Sequence, residues 1–247
     1  STLAHATGRL NIRHVEELVK VLSDLKNAGH QVILVSSGAI GMGVGKLNLP
    51  GKPSDMPTKQ AAAAVGQCEL MYTYDKLFLQ YNHTVAQVLL TGEDVDHPER
   101  RENFENTMER LLELGALPVI NENDTIATAE IKVGDNDTLG AIVACCTKAD
   151  LLVLLSDIEG LYTADPRKDP NAKLIPTVEE VTPEIEALAG GVGSSLGTGG
   201  MATKLRAAKM VIAQGCDMVI TNGEHPERLY DIAEGKDVGT RFVAHKA

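Results

Sequence analysis

Five short apolar runs, at residues 31–36, 85–90, 117–120, 151–155 and 218–220, set the strongest limit on how this chain can fold. They are rich in Val, Leu and Ile and largely lack the alternation of a half-exposed strand. They therefore predict strands buried on both faces. Helical stripes stand between them. Val15, Leu18, Val19, Leu22 and Leu25 mark one face of a helix over 14–28. Phe104, Met108, Leu111 and Leu112 do the same over 100–114, and Leu205, Ala208, Val211 and Ile212 over 201–214. Gly29, Gly115 and Gly215 follow as helix stops. Strands alternating with helices predict an α/β fold with a mainly parallel sheet and right-handed crossovers.

Composition narrows the partners. Aromatic residues make up 3% of the chain and Trp is absent, so the core must be aliphatic. A net charge of −11 argues against a nucleic-acid binder, which needs a basic stripe to displace counterions. It does not exclude phosphate ligands, which a few local amides and lysines can hold. Cys68, Cys145, Cys146 and Cys216 lack metal-ligand spacing and lie in apolar segments. They read as buried, reduced thiols of a cytoplasmic protein. No run of 18 apolar residues is present, and no signal peptide, so no membrane partner is expected.

In parallel sheets ligands bind where strand ends meet helix starts, so those joints hold the candidate residues. At the first, Ser36 and Ser37 lead into a Gly-rich turn at 38–43 that reads as a tight turn or as an anion cradle. It fails as a Walker loop, because Leu47 follows Gly45-Lys46 where Ser or Thr is required. At the second, Asn121, Glu122, Asn123 and Asp124 follow a buried strand and suit a helix cap or an ammonium ligand. At the third, Asp135, Asn136 and Asp137 precede an apolar helix from Thr138. They can cap that helix at Asn136 or Asp137, or face cations. At the fourth, Ser156 and Asp157 end a strand ahead of a Gly turn and Tyr162, a loop able to seat a base and ribose.

The fifth joint is the sharpest. Residues 190–200 hold six glycines and open the helix that carries Lys204 in its first turn. A cation there opposes the helix dipole unless an anion is present. Glycine amides, a helix start and an early lysine together suit a phosphate.

In this order and spacing the five segments resemble the amino-acid kinase family and, within it, the glutamate 5-kinases. The signatures are VSSGAI at 35–40, VINENDTIATAEIKVGDND at 119–137, SDIEGLYTADPR at 156–167 and LGTGGMATK at 196–204. The resemblance implies a three-layer α/β/α sandwich with a mainly parallel central sheet, residues 1–247 forming one domain. Its N-terminal half would take the amino acid and its C-terminal half ATP. It further implies that Ser37, Asp124 and Asn136 bind L-glutamate, and that Ser156 and Asp157 contact the nucleotide. Thr198, Gly199, Gly200, Met201, Ala202, Thr203 and Lys204 would wrap the phosphates. Lys204 would be catalytic, with Asp137 orienting the catalytic lysines, and Mg2+ would ride mainly on the ATP phosphates rather than on a protein metal site. The implied product is γ-glutamyl phosphate, the first intermediate of proline biosynthesis, with feedback inhibition by proline and a homo-oligomeric assembly. Family members begin with a strand ending in Lys-x-Gly-Ser/Thr-Ser, whose last Ser aligns with Ser1. A preceding strand with a second catalytic lysine is therefore expected, and no C-terminal PUA domain falls within this chain. Two rivals stay open at this point: a related amino-acid kinase, and a non-catalytic ATP or amino-acid sensor on the same fold.

Overall fold

The computed structural model of the chain describes residues 3, 5, 9–127, 133–189 and 200–244. The chain divides into two compact units, Ser1–Val133 and Gly134–Ala247, a boundary that falls inside the long motif at 119–137. Each unit carries its own mainly parallel sheet.

The first unit runs α1 (Ile12–Asn27), β1 (Leu34–Val35), α2 (Ala39–Lys46), α3 (Met56–Leu79), β2 (Val85–Leu90), α4 (Gly92–Asp96), α5 (Pro98–Glu113) and β3 (Leu117–Glu122). Its sheet has the order β1-β3-β2, all parallel. β3 is buried along its whole length, as its unalternating sequence predicts. In α1 the stripe residues Val15, Leu18, Val19 and Leu22 are buried, and Asn11 caps the start by accepting from the His14 N–H. The expected stops at Gly29, Gly115 and Gly215 all take the left-handed conformation, with φ of 100°, 75° and 82°.

The Gly-rich turn expected at 38–43 is instead mostly helix. α2 starts at Ala39, and its Gly43 serves packing while Gly41 faces open space. A Cβ on Gly43 would lie 1.8 Å from the Ala62 carbonyl oxygen, and one on Gly66 would lie 1.7 Å from that of Ala39. α2 and α3 thus meet backbone to backbone, each offering a small residue to the other. α3 itself is absent from the stripe reading, because its buried face is largely Ala62, Ala63, Gly66 and Gln67 before Leu70, Tyr74 and Phe78.

The second unit runs α6 (Asn136–Cys146), β4 (Leu151–Ser156), β5 (Thr177–Val178), α7 (Pro183–Ala189), α8 (Met201–Ile212), β6 (Asp217–Asn222), α9 (Arg228–Ala233) and β7 (Thr240–Phe242). Its sheet has the order β4-β6-β7-β5, with only the β6–β7 pair antiparallel. α6 and α8 share an aliphatic core with the sheet through Ala141, Ala144, Leu205, Ala208, Val211 and Ile220. Fully burying a Leu, Val or Ile side chain contributes about 1.5–3 kcal/mol each, so this core fixes the start of α8 against α6.

Candidate active site

The starts of α6 and α8 bring the sharpest sequence candidates together. The cap of α6 is Asp135, whose carboxylate accepts from the Thr138 N–H at 2.7 Å and the Thr138 hydroxyl at 2.9 Å. Neither Asn136 nor Asp137 is the cap, a correction to that reading; both lie in the first turn beyond it. Asp137 Oδ2 receives Lys204 Nζ at 2.9 Å and the Thr203 hydroxyl at 2.7 Å. The anion that an early lysine demands is therefore Asp137. The pair is largely withdrawn from water, with side-chain exposures of 9% for Lys204 and 15% for Asp137. α8 begins after Gly200 with no side-chain cap, while Gly200 O accepts from the Thr203 and Lys204 N–H groups. Met201 and Ala202 are the first two residues of that helix. Amides at an uncapped helix start beside an ammonium form a natural phosphate seat.

The C-terminal ends of β4 and β6 form a second cluster in this unit. Ser156 pairs in register with Asn222, and the Gly223 N–H donates to Ser156 O at 2.7 Å. Ser156 is buried, and its hydroxyl lies 3.2 Å from Asp157 Oδ1, on an exposed residue. Glu159 accepts from the Asn222 amide at 3.2 Å and is ion-paired with Arg228. The Arg228 guanidinium holds the Glu159 carboxyl below its usual range; partial burial opposes this and the Asn222 amide assists it.

In the first unit the polar residues gather where parallel strands end. The Ser36 hydroxyl, after β1, is 2.9 Å from the Tyr74 hydroxyl. Burial pushes the Tyr74 phenol up to about 12, so it stays neutral and serves as a hydrogen-bonding partner. Ser37 is half-buried and adjoins Gly38, the left-handed start of α2. On the neighbouring β3, Asn121 donates to Gln67 Oε1 at 3.0 Å, and Gln67 donates to Gln87 Oε1 at 3.0 Å. The Asn121 side chain also accepts from the Glu122 N–H at 2.9 Å, and the buried Glu122 carboxylate accepts from the Val133 N–H at 2.7 Å. These bonds order the strand end from which the half-buried Asp124 follows.

Ser37 and Asp124 thus follow adjacent strands of one sheet, whereas Asn136 belongs to the second unit. Thr198 and Gly199, with most of the glycine segment, lie outside the described residues. Sequence reading gave no part to Tyr74 and Gln67 in the first unit, or to Glu159, Asn222 and Arg228 in the second. The partners of Ser36 and Asn121 are 38 and 54 residues away, and Glu159 and Arg228 are 69 apart. No local spacing pairs them.

Residues 1–222 match the model of the amino acid kinase family. A glutamate 5-kinase of Clostridium tetani is 55% identical over 246 residues, covering 100% of this chain and 92% of the relative. One of Clostridium perfringens is 52% identical over 250 residues, covering 100% of this chain and 93% of the relative. Among solved structures, carbamate kinase from Giardia lamblia bound to AMP-PNP superposes with a TM-score of 0.66 at 20% identity, over 95% of this chain and 90% of that one. That likeness concerns the fold alone.

Proposed function

The chain belongs to the amino acid kinase family and, within it, to the glutamate 5-kinases, and from that premise we propose that Lys204, Asp137 and the uncapped start of α8 are its phosphoryl-transfer apparatus. Its reaction moves the γ-phosphoryl group of ATP to the γ-carboxylate of L-glutamate. A carboxylate oxygen attacks phosphorus, the bond to the β–γ bridging oxygen breaks, and γ-glutamyl phosphate and ADP leave. The attacking carboxylate is already an anion, so no general base is required, and catalysis reduces to positioning and charge neutralisation.

What supports the site assignment is the Lys204–Asp137 pair. A lysine ammonium held largely out of water keeps its Coulomb strength, and it has no reorganisation to complete when charge develops on the transferring group. Asp137 orients it, and the Thr203 hydroxyl keeps Asp137 in place. The donor set suits the nucleotide: N–H groups and an ammonium match phosphate oxygens, while Mg2+ prefers oxygen ligands that a triphosphate itself supplies. Mg2+ when bound adds neutralisation of the phosphate charge. In this reading Ser156 and Asp157 contact the nucleotide, as would Met201, Ala202 and the segment containing Thr198 and Gly199. Ser37, Asp124 and Asn136 take glutamate, with Asp124 facing its ammonium.

Two measurements test this. The first is turnover with Mg-ATP and hydroxylamine, which traps an acyl phosphate as a hydroxamate. Glutamate-dependent hydroxamate is expected, with aspartate, acetylglutamate and no acceptor giving none. ATP binding without turnover on any acceptor would instead favour the sensor reading. The second is Asp124→Ala. Losing a charged hydrogen bond to the substrate ammonium raises the glutamate KM about 10- to 100-fold while the ATP KM stays near wild type. Equal rises in both would remove Asp124 from the amino-acid site.

No described helix is long and apolar enough to cross a membrane. Cytoplasmic placement, homo-oligomeric assembly and inhibition by proline belong to the same proposal, and a proline titration of hydroxamate formation checks the last.

A further inference from the structure

We propose that Glu159 is a positioning residue for the adenine nucleotide: gripped by Asn222 and Arg228, its carboxylate fixes the loop from which Asp157 projects. This inference rests on the nucleotide role given above to Ser156 and Asp157.

The loop after β4 is anchored on both sides of Glu159. Upstream, Ser156 O accepts from the Gly223 N–H at 2.7 Å. Downstream, the Leu161 N–H donates to Thr240 Oγ1 at 2.8 Å. Gly160 has no room for a side chain, since a Cβ there would lie 2.4 Å from the Thr240 hydroxyl oxygen. Between these anchors the Glu159 side chain adds a third hold on the loop, beside the Ser156–Asp157 hydrogen bond. One carboxylate oxygen accepts from the Asn222 amide at 3.2 Å, and the other pairs with the Arg228 guanidinium at the start of α9. Asn222 is itself oriented, because its carbonyl oxygen accepts from the Glu224 N–H at 2.9 Å.

Asp157, the exposed residue of this segment, accepts from the Ser156 hydroxyl at 3.2 Å, and the rest of its placement comes from bonds made by its neighbours. The grip joins the ends of β4 and β6, the edge at which parallel sheets take ligands. Its energetics single out this role. Glu159 and Arg228 keep side-chain exposures of 38% and 30%, and an ion pair so exposed adds little to global stability. Its effect falls on local geometry, so it should be visible in nucleotide affinity rather than in unfolding.

The test uses the full chain, with calorimetric titration of Mg-ADP beside steady-state hydroxamate kinetics. Glu159→Gln, nearly isosteric but uncharged, should weaken ADP binding and raise the ATP KM about tenfold through misplacement of Asp157. The glutamate KM, kcat and the thermal midpoint should stay near wild type. Arg228→Gln should do the same, Arg228→Lys should recover part of the loss, and the double variant E159Q/R228Q should be no worse than either single one. Wild-type ADP affinity in E159Q overturns the inference alone. So does a loss that appears equally in glutamate KM and thermal midpoint, which would mark a merely structural role. A wild-type chain that takes up no ADP overturns both this inference and the nucleotide site beneath it.

Discussion

If Lys204 has the phosphoryl-transfer role proposed above, replacing it by methionine should lower hydroxamate formation by about a thousandfold or more, because the proposed charge-neutralising ammonium is lost from surroundings that offer little water in its place. Methionine keeps the length and the apolar stem of lysine, so the packing of α8 on α6 survives. The charge balance does not. Lys204 and Asp137 are 2.9 Å apart and largely withdrawn from water, and among the described residues the substitution leaves Asp137 with the Thr203 hydroxyl but no cation. Breaking a pair of this kind typically costs about 3–5 kcal/mol. Lys204→Met should therefore lower the thermal midpoint as well as turnover. Adding Asp137→Asn removes the stranded anion and should restore much of the midpoint while leaving turnover near zero. That divergence separates the two roles of the lysine, one in stability and one in catalysis. Recovery of turnover in the double variant would show that the ammonium has no catalytic part.

The same pair shows how much of the site was legible in the sequence. Lys204 in the first turn of a helix is electrostatically unfavourable by itself, and that anomaly alone required an anion nearby. The sequence reading took that anion to be a phosphate, whereas the structure already sets a carboxylate against the lysine, Asp137, 67 residues upstream. The positions of the longer strands and of the helices with wide aliphatic stripes were legible for a related reason, since one-dimensional periodicity records which face is buried. Full burial, however, holds only for β3, whereas β1, β2 and β4 are largely part-buried. Where burial rests on small residues the record fails. α2 reads as a Gly turn and α3 carries no clear stripe, because Gly43 and Gly66 acquire meaning only when each faces the other helix. β5 and β7, two and three residues long, are too short to leave a pattern. The Glu159–Arg228–Asn222 grip is likewise closed only by the fold, from residues that each look like ordinary surface polar groups.

That dependence on small residues makes Gly66→Ala the second large effect to expect, with a sign that decides the matter. In an unencumbered helix interior, alanine is favoured over glycine by about 1 kcal/mol. At Gly66 the new methyl would lie 1.7 Å from the Ala39 carbonyl oxygen and 2.5 Å from the Gly43 amide nitrogen, both of them backbone atoms that no rotamer change can move aside. An ordinary carbon–oxygen contact of about 3.3 Å requires the helices to part by roughly 1.5 Å. Parting them would strip contacts from a closely packed face, so a net loss of about 3 kcal/mol or more is expected. Gly140→Ala in α6 is the internal control, for its Cβ would meet Leu152 Cδ1 at 3.5 Å and Leu154 Cδ2 at 4.0 Å, both ordinary side-chain contacts. Chemical denaturation of both variants should show Gly66→Ala strongly destabilised and Gly140→Ala close to wild type or better. Because α2 starts directly after Ser37 and Gly38, whatever Gly66→Ala protein remains folded should also show a raised glutamate KM with little change for ATP. A stable Gly66→Ala protein would mean that α2 and α3 do not meet at their backbones, and the placement of Ser37 by that contact would fall with it.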